Sequence, residues 1–269
     1  SPPETYEHLF GIVGGMSQVR VSSLPHSLSR PLSETPLARE RLLPVHQALA
    51  PLFGLASGDL APLALTRGHT VACVGSAAMS CALAVLVAPT QTGSWAGVVG
   101  LPSCGVQAAA DLGVCLERTV FVADPTSGSR ASSQQADAAA VLSALVDGVD
   151  VLLLAHHVVN SLSPSLLRRL QTRVQSRGGV LVVVGETNSL TSSLSADLRL
   201  TATTQQWQGV GLGYGHLQRR QVLLQLDGRR RARTTEHRVW LPDHQGQLSS
   251  VETTTAENTG VVIPLRRVG

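Results

Sequence analysis

Short, uninterrupted apolar segments alternate with longer segments of helical periodicity through the middle of the chain. Five apolar segments are predicted to be strands: Thr70–Val74, Trp95–Gly100, Thr119–Ala123, Val149–Ala155 and Val180–Val184. Four segments between them favour helices: Ala77–Ala88, Gly105–Leu112, Gln134–Val146 and Pro164–Ser176. Continuously apolar strands separated by helices are typical of a parallel sheet that is covered on both faces. The pattern therefore predicts an α/β fold.

The pattern changes after Asp197, where apolar and polar residues alternate singly. The alternating segments are Leu198–Thr203, Gln221–Gln225 and Glu236–Leu241. A period of two is typical of half-exposed antiparallel strands. Asp227-Gly228 has the residue types of a tight hairpin turn, and Gly209–Gly215 is interpreted as a flexible turn between strands. We therefore expect an antiparallel edge on a mostly parallel sheet.

Three regions of the chain differ in composition. Residues 1–36 are rich in Ser and Pro with weak periodicity, so they are predicted to be a partly disordered N-terminal arm. Within this arm, Met16 is a candidate start residue. Residues 37–242 form the predicted core, in which Leu37–Phe53 favours a helix despite Pro44. Residues 243–269 are interpreted as a C-terminal tail.

The charged residues limit the chemistry that the chain can perform. They make up 14% of the residues, and the formal net charge is +3, which does not by itself indicate a nucleic-acid-binding protein. All 21 basic residues are arginine. The lack of lysine excludes a Schiff-base lysine, a lysine general base and the lysine of an ordinary phosphate-binding loop.

Cysteine spacing and hydropathy indicate the cellular compartment in which the protein is expected. The four cysteines, at positions 73, 81, 104 and 115, show no CxxC spacing, which is typical of free thiols in a reducing compartment. No signal peptide is recognised at the start of the sequence. The uncharged stretch Thr70–Ala110 is divided by Gly and Pro into pieces shorter than the roughly 20 residues of a membrane span. We therefore expect a cytoplasmic protein.

The turn after the first predicted strand is where a phosphate-binding loop would lie. Counted from Gly75, the second glycine of the motif GxxxxGK[ST] falls on Ser80 and the lysine on Cys81, while the hydroxyl residue that binds Mg²⁺ falls on Ala82. Without the ammonium group and the metal ligand, nothing neutralises charge on a transferred phosphoryl group. A weak nucleotide site on the helix N-terminus, a plain turn and an unconventional ATPase with displaced groups stay open as alternatives.

Several short segments follow one another in a fixed order around this turn. They are Leu65–Gly68, Asp111–Val114, Leu116–Pro125 and Val149–Leu154. Their order and spacing, over roughly Leu42 to Leu241, resemble the core of the RecA recombinase superfamily. The resemblance implies a RecA-like P-loop NTPase fold with a mostly parallel sheet, helices on both faces, an antiparallel C-terminal edge and a degenerate phosphate loop.

The same resemblance gives positions for the superfamily's catalytic groups. Its catalytic glutamate falls on Leu101, its Walker B aspartate on Ala155 and its polar sensor on Glu186. The degenerate nucleotide site predicted in this way consists of Gly75, Ser76, Ser80, Cys81, Leu101, Ala155 and Glu186. We therefore expect neither enzyme activity nor a cofactor.

Within the superfamily, three segments carry a finer resemblance. They are "RERLLPV" at Arg39–Val45, "ADLRL" at Ala196–Leu200, and Gly215–Pro242 with its arginine-rich hairpin. They resemble the actinobacterial ImuA′ proteins. That resemblance implies an accessory factor of DNA-damage-induced (SOS) translesion synthesis. The implied partner is an ImuB-type Y-family polymerase relative, and the implied location is the nucleoid-associated cytoplasm.

The densest cluster of positive charge lies near the last predicted strands. The candidate nucleic-acid-binding or partner-binding residues are Arg219, Arg220, Arg229, Arg230, Arg231 and Arg233. As an exposed guanidinium ridge they would suit phosphates or carboxylates, which makes a nucleic-acid-binding module of DNA repair, or a weak DNA contact, the alternative function. A solvated edge strand that uses charge to discourage strand pairing explains them equally well.

The sequence pattern argues against two other kinds of site, a metal centre and the active site of an α/β-hydrolase. His156-His157 follows a predicted strand, where adjacent side chains point to opposite faces and cannot easily chelate one metal ion. The sequence also has no GxSxG nucleophile elbow. Neither a metal centre nor an α/β-hydrolase is therefore expected.

Overall fold

The computed structural model of the chain describes residues 42–53, 64–127, 131–185, 194–211, 214–229, 231 and 233–251. The predicted N-terminal arm, most of the predicted tail, Glu186 and Arg230 lie outside these ranges. Within them, the strands are β1 (Leu42–Pro44), β2 (Ala64–Thr66), β3 (Thr70–Val74), β4 (Ala96–Val99), β5 (Thr119–Val122), β6 (Val151–Ala155), β7 (Val180–Gly185), β8 (Leu198–Gly211), β9 (Tyr214–Gly228), β10 (Thr235–Trp240) and β11 (Ser249–Ser250). The α-helices are α1 (Ala50–Phe53), α2 (Ala78–Gln91), α3 (Val106–Asp111), α4 (Ala131–Gly148), α5 (His156–Ser161) and α6 (Pro164–Arg177).

Nine strands form one mixed sheet in the order β11-β10-β9-β8-β3-β7-β6-β4-β5. The six strands from β8 to β5 run parallel to one another, whereas β9, β10 and β11 continue the sheet in antiparallel pairings. This confirms the predicted α/β fold with a largely parallel sheet and an antiparallel C-terminal edge. The last strand lies beyond residue 242, where the predicted core ends.

The central parallel strands β4, β6 and β7 are apolar at every position because each contributes to two hydrophobic layers. In β6, Val151 and Leu153 pack in the layer that contains α2, while Leu152 and Leu154 pack with α4, α5 and α6 on the other face. All five residues of this strand are buried. No helix in the described ranges is both long and apolar enough to cross a membrane.

The predicted helix at Leu37–Phe53 is wrong for Leu42–Pro44 and is confirmed only for Ala50–Phe53. Leu42–Pro44 forms β1, which pairs with β2 in a separate two-stranded antiparallel sheet, and only Ala50–Phe53 is α-helical, after a 3-10 turn. Proline has no backbone N–H and clashes with a preceding helical turn, but it is tolerated at the edge of a sheet. Pro44 therefore favours the short strand.

The antiparallel strands are longer than the alternation predicts. β8 and β9 pair from Leu198 opposite Gly228 to Gly211 opposite Tyr214, with two register shifts. The predicted tight hairpin turn at Asp227-Gly228 is also wrong, because these residues end β9 and β10 starts only at Thr235. β10 pairs only with residues Gln221 to Leu226 of β9, so the distal part of the β8–β9 ribbon extends beyond β10.

Candidate functional site

The connection between β3 and α2 consists of three residues, Gly75, Ser76 and Ala77. Gly75 has a φ of +104°, a conformation that favours glycine. Ser80 and Cys81, which align with the second glycine and the lysine of a phosphate-binding loop, lie inside α2. A cradle made from successive loop amides would occupy the segment that here has already become helix.

Strand β8 packs directly against this three-residue turn. The Ala202 carbonyl accepts a hydrogen bond from the Ala77 amide at 3.0 Å, and the Thr204 amide donates to Ser76 Oγ at 2.9 Å. A Cβ atom at Gly75 would lie 2.4 Å from the Ala202 carbonyl oxygen. The turn therefore fits closely under β8, and both the Ala77 amide and the Ser76 hydroxyl are engaged by that strand.

Arg220 on β9 reaches the first turn of α2. Its Nη2 donates to Ser80 Oγ at 2.7 Å and its Nε donates to the Leu241 carbonyl at 2.7 Å. The guanidinium carbon lies 5.1 Å from the centre of the Trp207 ring, within the range of a cation–π contact. Burial lowers the pKa of Arg220. The side chain thus ties the β8–β9 ribbon to the start of α2.

Position 81, on which the lysine of the motif falls when counted from Gly75, faces the protein interior. Cys81 is completely buried. Its neighbour Cys73, on β3, donates a hydrogen bond to the Ala78 carbonyl at 3.2 Å. A hydrogen bond with Cys81, together with complete burial, raises the pKa of the Cys73 thiol well above its usual value. Both cysteines therefore behave as buried thiols under the turn, with their side chains in the core.

The other predicted site residues lie at the carboxyl ends of neighbouring strands. Leu101 follows β4 and packs against both hydrophobic layers, and Ala155 is the last residue of β6, with 2% of its surface exposed. Carboxyl ends of parallel strands are where ligands bind in open α/β sheets. The structure thus brings these residues to the same edge as Gly75, Ser76 and Ser80, but the side chains of Leu101 and Ala155 are apolar.

A polar pair at this edge was not found from the sequence. His157 Nε2 lies 3.2 Å from Asp124 Oδ2, and Thr126 donates to Asp124 Oδ1 from its amide and its hydroxyl. Burial acts to raise the pKa of Asp124, but the hydrogen bonds from Thr126 and His157 outweigh it and lower that pKa. The signal was Asp124-Pro125-Thr126, since an Asp that bonds the backbone two residues later is typical of a turn.

The two histidines begin helix α5. The prediction that their side chains point to opposite faces of a strand, which excluded a metal site, is therefore wrong. The rings of His156 and His157 stand edge to face with centres 5.9 Å apart. Across the described ranges, no group of three or more His, Cys, Asp or Glu side chains could hold a metal ion.

The candidate arginines are divided among separate contacts. Arg219 donates to Gln208 at 2.7 Å and lies 3.9 Å from the centre of the Trp240 ring, while Arg220 reaches α2 as described above. Arg231 donates to the Leu52 carbonyl at 2.9 Å, and Arg229 to Ser195 Oγ at 2.7 Å. The described members therefore do not form one ridge along the hairpin.

Comparison with known proteins finds a family domain and a mycobacterial protein to which the chain is similar. The family domain described as "MT3502 N-terminal domain" matches residues 59–189. Rv3395c of Mycobacterium tuberculosis (strain ATCC 25618 / H37Rv), described as an uncharacterized protein, is 30% identical over 180 residues, which are 65% of this chain and 81% of that protein. The chain belongs to the Rv3395c family. The match to the MT3502 N-terminal domain ends before β8, so the ribbon that covers the turn lies outside that domain.

A solved structure, the crystal structure of the RadB recombinase, is similar at a TM-score of 0.49 and 11% sequence identity, covering 69% of this chain and 92% of that one. The α/β assignment of this member of the Rv3395c family does not depend on that likeness, because it follows from the strand order and pairing described above.

Proposed function

We propose that this protein is a non-catalytic adaptor built on a RecA-like core. It acts in DNA-damage-induced (SOS) error-prone translesion synthesis by binding an ImuB-type Y-family polymerase relative. The sequence resemblances quoted above support the core and the pathway. The geometry of the turn between β3 and α2 supports the lack of catalysis.

The close fit of β8 over the turn is the observation that carries the proposal. A phosphate-binding loop presents free amides, a lysine and a hydroxyl ligand for Mg²⁺ to the β- and γ-phosphates. Here the Ala77 amide bonds to Ala202, the Ser76 hydroxyl accepts from Thr204, and position 81 carries a buried thiol. A triphosphate would have to displace β8 to reach the helix, and it would gain no ammonium group or metal ligand by doing so.

The first test asks whether the protein binds nucleotide. Thermal unfolding with and without ATP and Mg²⁺ should give the same Tm, because a ligand that binds only the folded state raises Tm in proportion to its occupancy. Steady-state ATP turnover should equal the background of buffer alone, with an active RecA recombinase as the positive control. A rise in Tm or turnover above background would contradict the proposal and favour an unconventional ATPase.

The second test asks for the partner. The protein should co-purify with a Y-family polymerase-like protein of the ImuB type from the same organism when the two are expressed together. The yield of complex should be the same with and without ATP, because the proposed adaptor makes no use of nucleotide. A catalytically active Y-family polymerase from the same source serves as the control for non-specific capture. Absence of a complex, or a complex that requires ATP, would overturn the adaptor role.

A further inference from the structure

Four arginine side chains line one polar cavity at the end of the β8–β9 ribbon opposite its distal loop. The cavity has a volume of about 370 Å³. Among the residues that the structure describes, its charged lining consists of Arg199, Arg229, Arg231, Arg233 and one carboxylate, Asp227. The lining thus has an excess of three positive charges. We propose that this cavity, named here the arginine groove, binds the phosphodiester groups of a nucleic-acid backbone.

Two of the four guanidinium groups are fixed by the protein. Arg229 donates to Ser195 Oγ at 2.7 Å, and Arg231 donates to the Leu52 carbonyl at 2.9 Å and to Thr235 Oγ1 at 3.2 Å. Fixed donors lose little conformational entropy when an anion binds to them. They therefore give the groove a defined shape in the absence of ligand.

The other two guanidinium groups remain available. Arg199 and Arg233 are exposed, and they make no hydrogen bond or ion pair with any residue that the structure describes. Arg199 lies directly opposite Asp227 across the β8–β9 pair, yet the two form no ion pair within 4.0 Å. Such groups can form bidentate hydrogen bonds with phosphate oxygens.

The backbone around the groove is closely packed. The Arg229 amide donates to the Asp197 carbonyl and the Arg231 amide to the Gly228 carbonyl. A Cβ atom at Gly228 would lie 2.4 Å from the Asp197 carbonyl oxygen, so only glycine permits this approach. The arginine-bearing turn is therefore held against the start of β8.

The arginine groove has little apolar surface, which favours nucleic acid over an acidic protein segment as its ligand. The apolar side chains of the lining are Leu194, which is 8% exposed, and the small Ala196. Protein partners gain most of their affinity from apolar or aromatic anchors that enter a desolvated pocket. Contacts to the phosphate backbone are made by basic and polar groups and do not need such anchors. The inference is independent of the adaptor role and of the turn after β3.

Fluorescence anisotropy of a labelled single-stranded oligonucleotide of mixed sequence, titrated at several salt concentrations, tests the groove. The double variant Arg199→Ser/Arg233→Ser should bind more weakly, and the negative slope of log affinity against log salt should become shallower by about 1.4, since each phosphate contact to a single strand contributes roughly −0.7. The matched control Arg168→Ser/Arg169→Ser removes the same charge from exposed positions on α6, and its slope should be that of the unmodified chain.

A third variant makes the opposite prediction. Asp227→Asn removes the carboxylate found among the described residues of the groove, so it should tighten binding severalfold at low salt while leaving the fold intact. The same titrations with the duplex form distinguish a single-strand groove from one that accepts either form. No salt dependence, an equal loss in the control double variant, or binding of an acidic peptide but not of the oligonucleotide would each overturn the proposal.

Discussion

The parallel strands and the β8–β9 ribbon bury their residues in different ways. β3 and β6 are buried at every position because helices cover both faces. The ribbon has one row of buried apolar residues, Leu200, Ala202, Val222, Leu224 and Leu226, while Trp207, Val210 and Leu217 in its distal part are exposed. The parallel half is therefore held by packing on both faces, whereas the ribbon is joined to the start of α2 by the hydrogen bond from Arg220 to Ser80. The part of β8 that closes the candidate site lies between the two, since Ala202 is buried in the core and Thr204 bonds to Ser76.

The largest effect is expected from a cavity in the parallel half. Leu153 is completely buried in β6. The variant Leu153→Ala should therefore lower the free energy of unfolding by about 2–5 kcal/mol. Chemical denaturation measures this. Leu217→Ala, at a ribbon position that is 55% exposed, is the matched control and should cost less than about 0.5 kcal/mol. Equal costs would show that the ribbon is packed as firmly as the core.

The next effect concerns the close contact between the turn and β8. Gly75→Ala places a side chain at a φ of +104°, which costs about 1–3 kcal/mol, and it adds a collision with the Ala202 carbonyl. Gly93→Ala has the same backbone strain, with a φ of +105°, but no atom within 4 Å of the new Cβ. The difference between the two unfolding free energies isolates the contact with β8. If the two variants lose the same free energy of unfolding, the contact between the turn and β8 is not close enough to exclude a side chain at position 75.

A smaller loss is expected when the ribbon is released from α2. Arg220→Met keeps the unbranched apolar stem of the side chain but removes the guanidinium group and its hydrogen bonds to Ser80 and Leu241, at a cost of about 1.5–3 kcal/mol for bonds from a charged group. Hydrogen exchange should accelerate at the amides of Ala77 and Thr204. Arg219→Met is the control, because Arg219 bonds to Gln208 within the ribbon and should leave exchange at Ala77 unchanged. Acceleration in both variants would mean that the ribbon and α2 are not joined through Arg220.

The smallest effect is expected on the outer helices of the parallel half. Asp147 on α4 pairs with Arg173 and Arg177 on α6. The hydrogen bond from Arg173 and the nearby charge of Arg177 lower the pKa of Asp147 despite partial burial. Because the folded pKa is lowered, the carboxylate stabilises the fold above its ordinary pKa of about 3.9. That contribution is lost as the pH falls through the lowered value.

Asp147→Asn should therefore reduce Tm slightly at neutral pH, and less in high salt, because exposed ion pairs are screened. The difference in Tm from the unmodified chain should vanish at strongly acidic pH. A difference that persists there would indicate that Asp147 acts through packing and not through its charge.

The parallel half could be predicted from the sequence almost element by element. Its central strands are buried on both faces, so their boundaries lie close to those of the apolar segments, as for Thr70–Val74. The length of the ribbon could not, because the distal residues Gln205, Gln206 and Gln208 are polar and gain their strand structure by pairing across β8 and β9. Local pattern carries no information about such a partner.

The candidate site also has a part that could be predicted from the sequence and a part that could not. The residues of the turn are adjacent in sequence and were predicted together, as Gly75, Ser76, Ser80 and Cys81. Arg220, which contacts Ser80, is 140 residues away and was grouped with its neighbours in a charge cluster. Its actual role depends on β9 lying next to β8 and β8 next to β3, which only the strand order reveals.

The complete burial of Cys81 limits how a nucleotide-binding loop could be engineered into this chain. A lysine at position 81 would place an ammonium group in the apolar layer beside Cys73, where an unpaired charge is strongly disfavoured. Opening the segment to a triphosphate would also require changes in β8 and in the turn itself, because the Ala77 amide and the Ser76 hydroxyl are both bonded to that strand. A substitution at position 81 alone would therefore introduce a buried charge without creating a phosphate site.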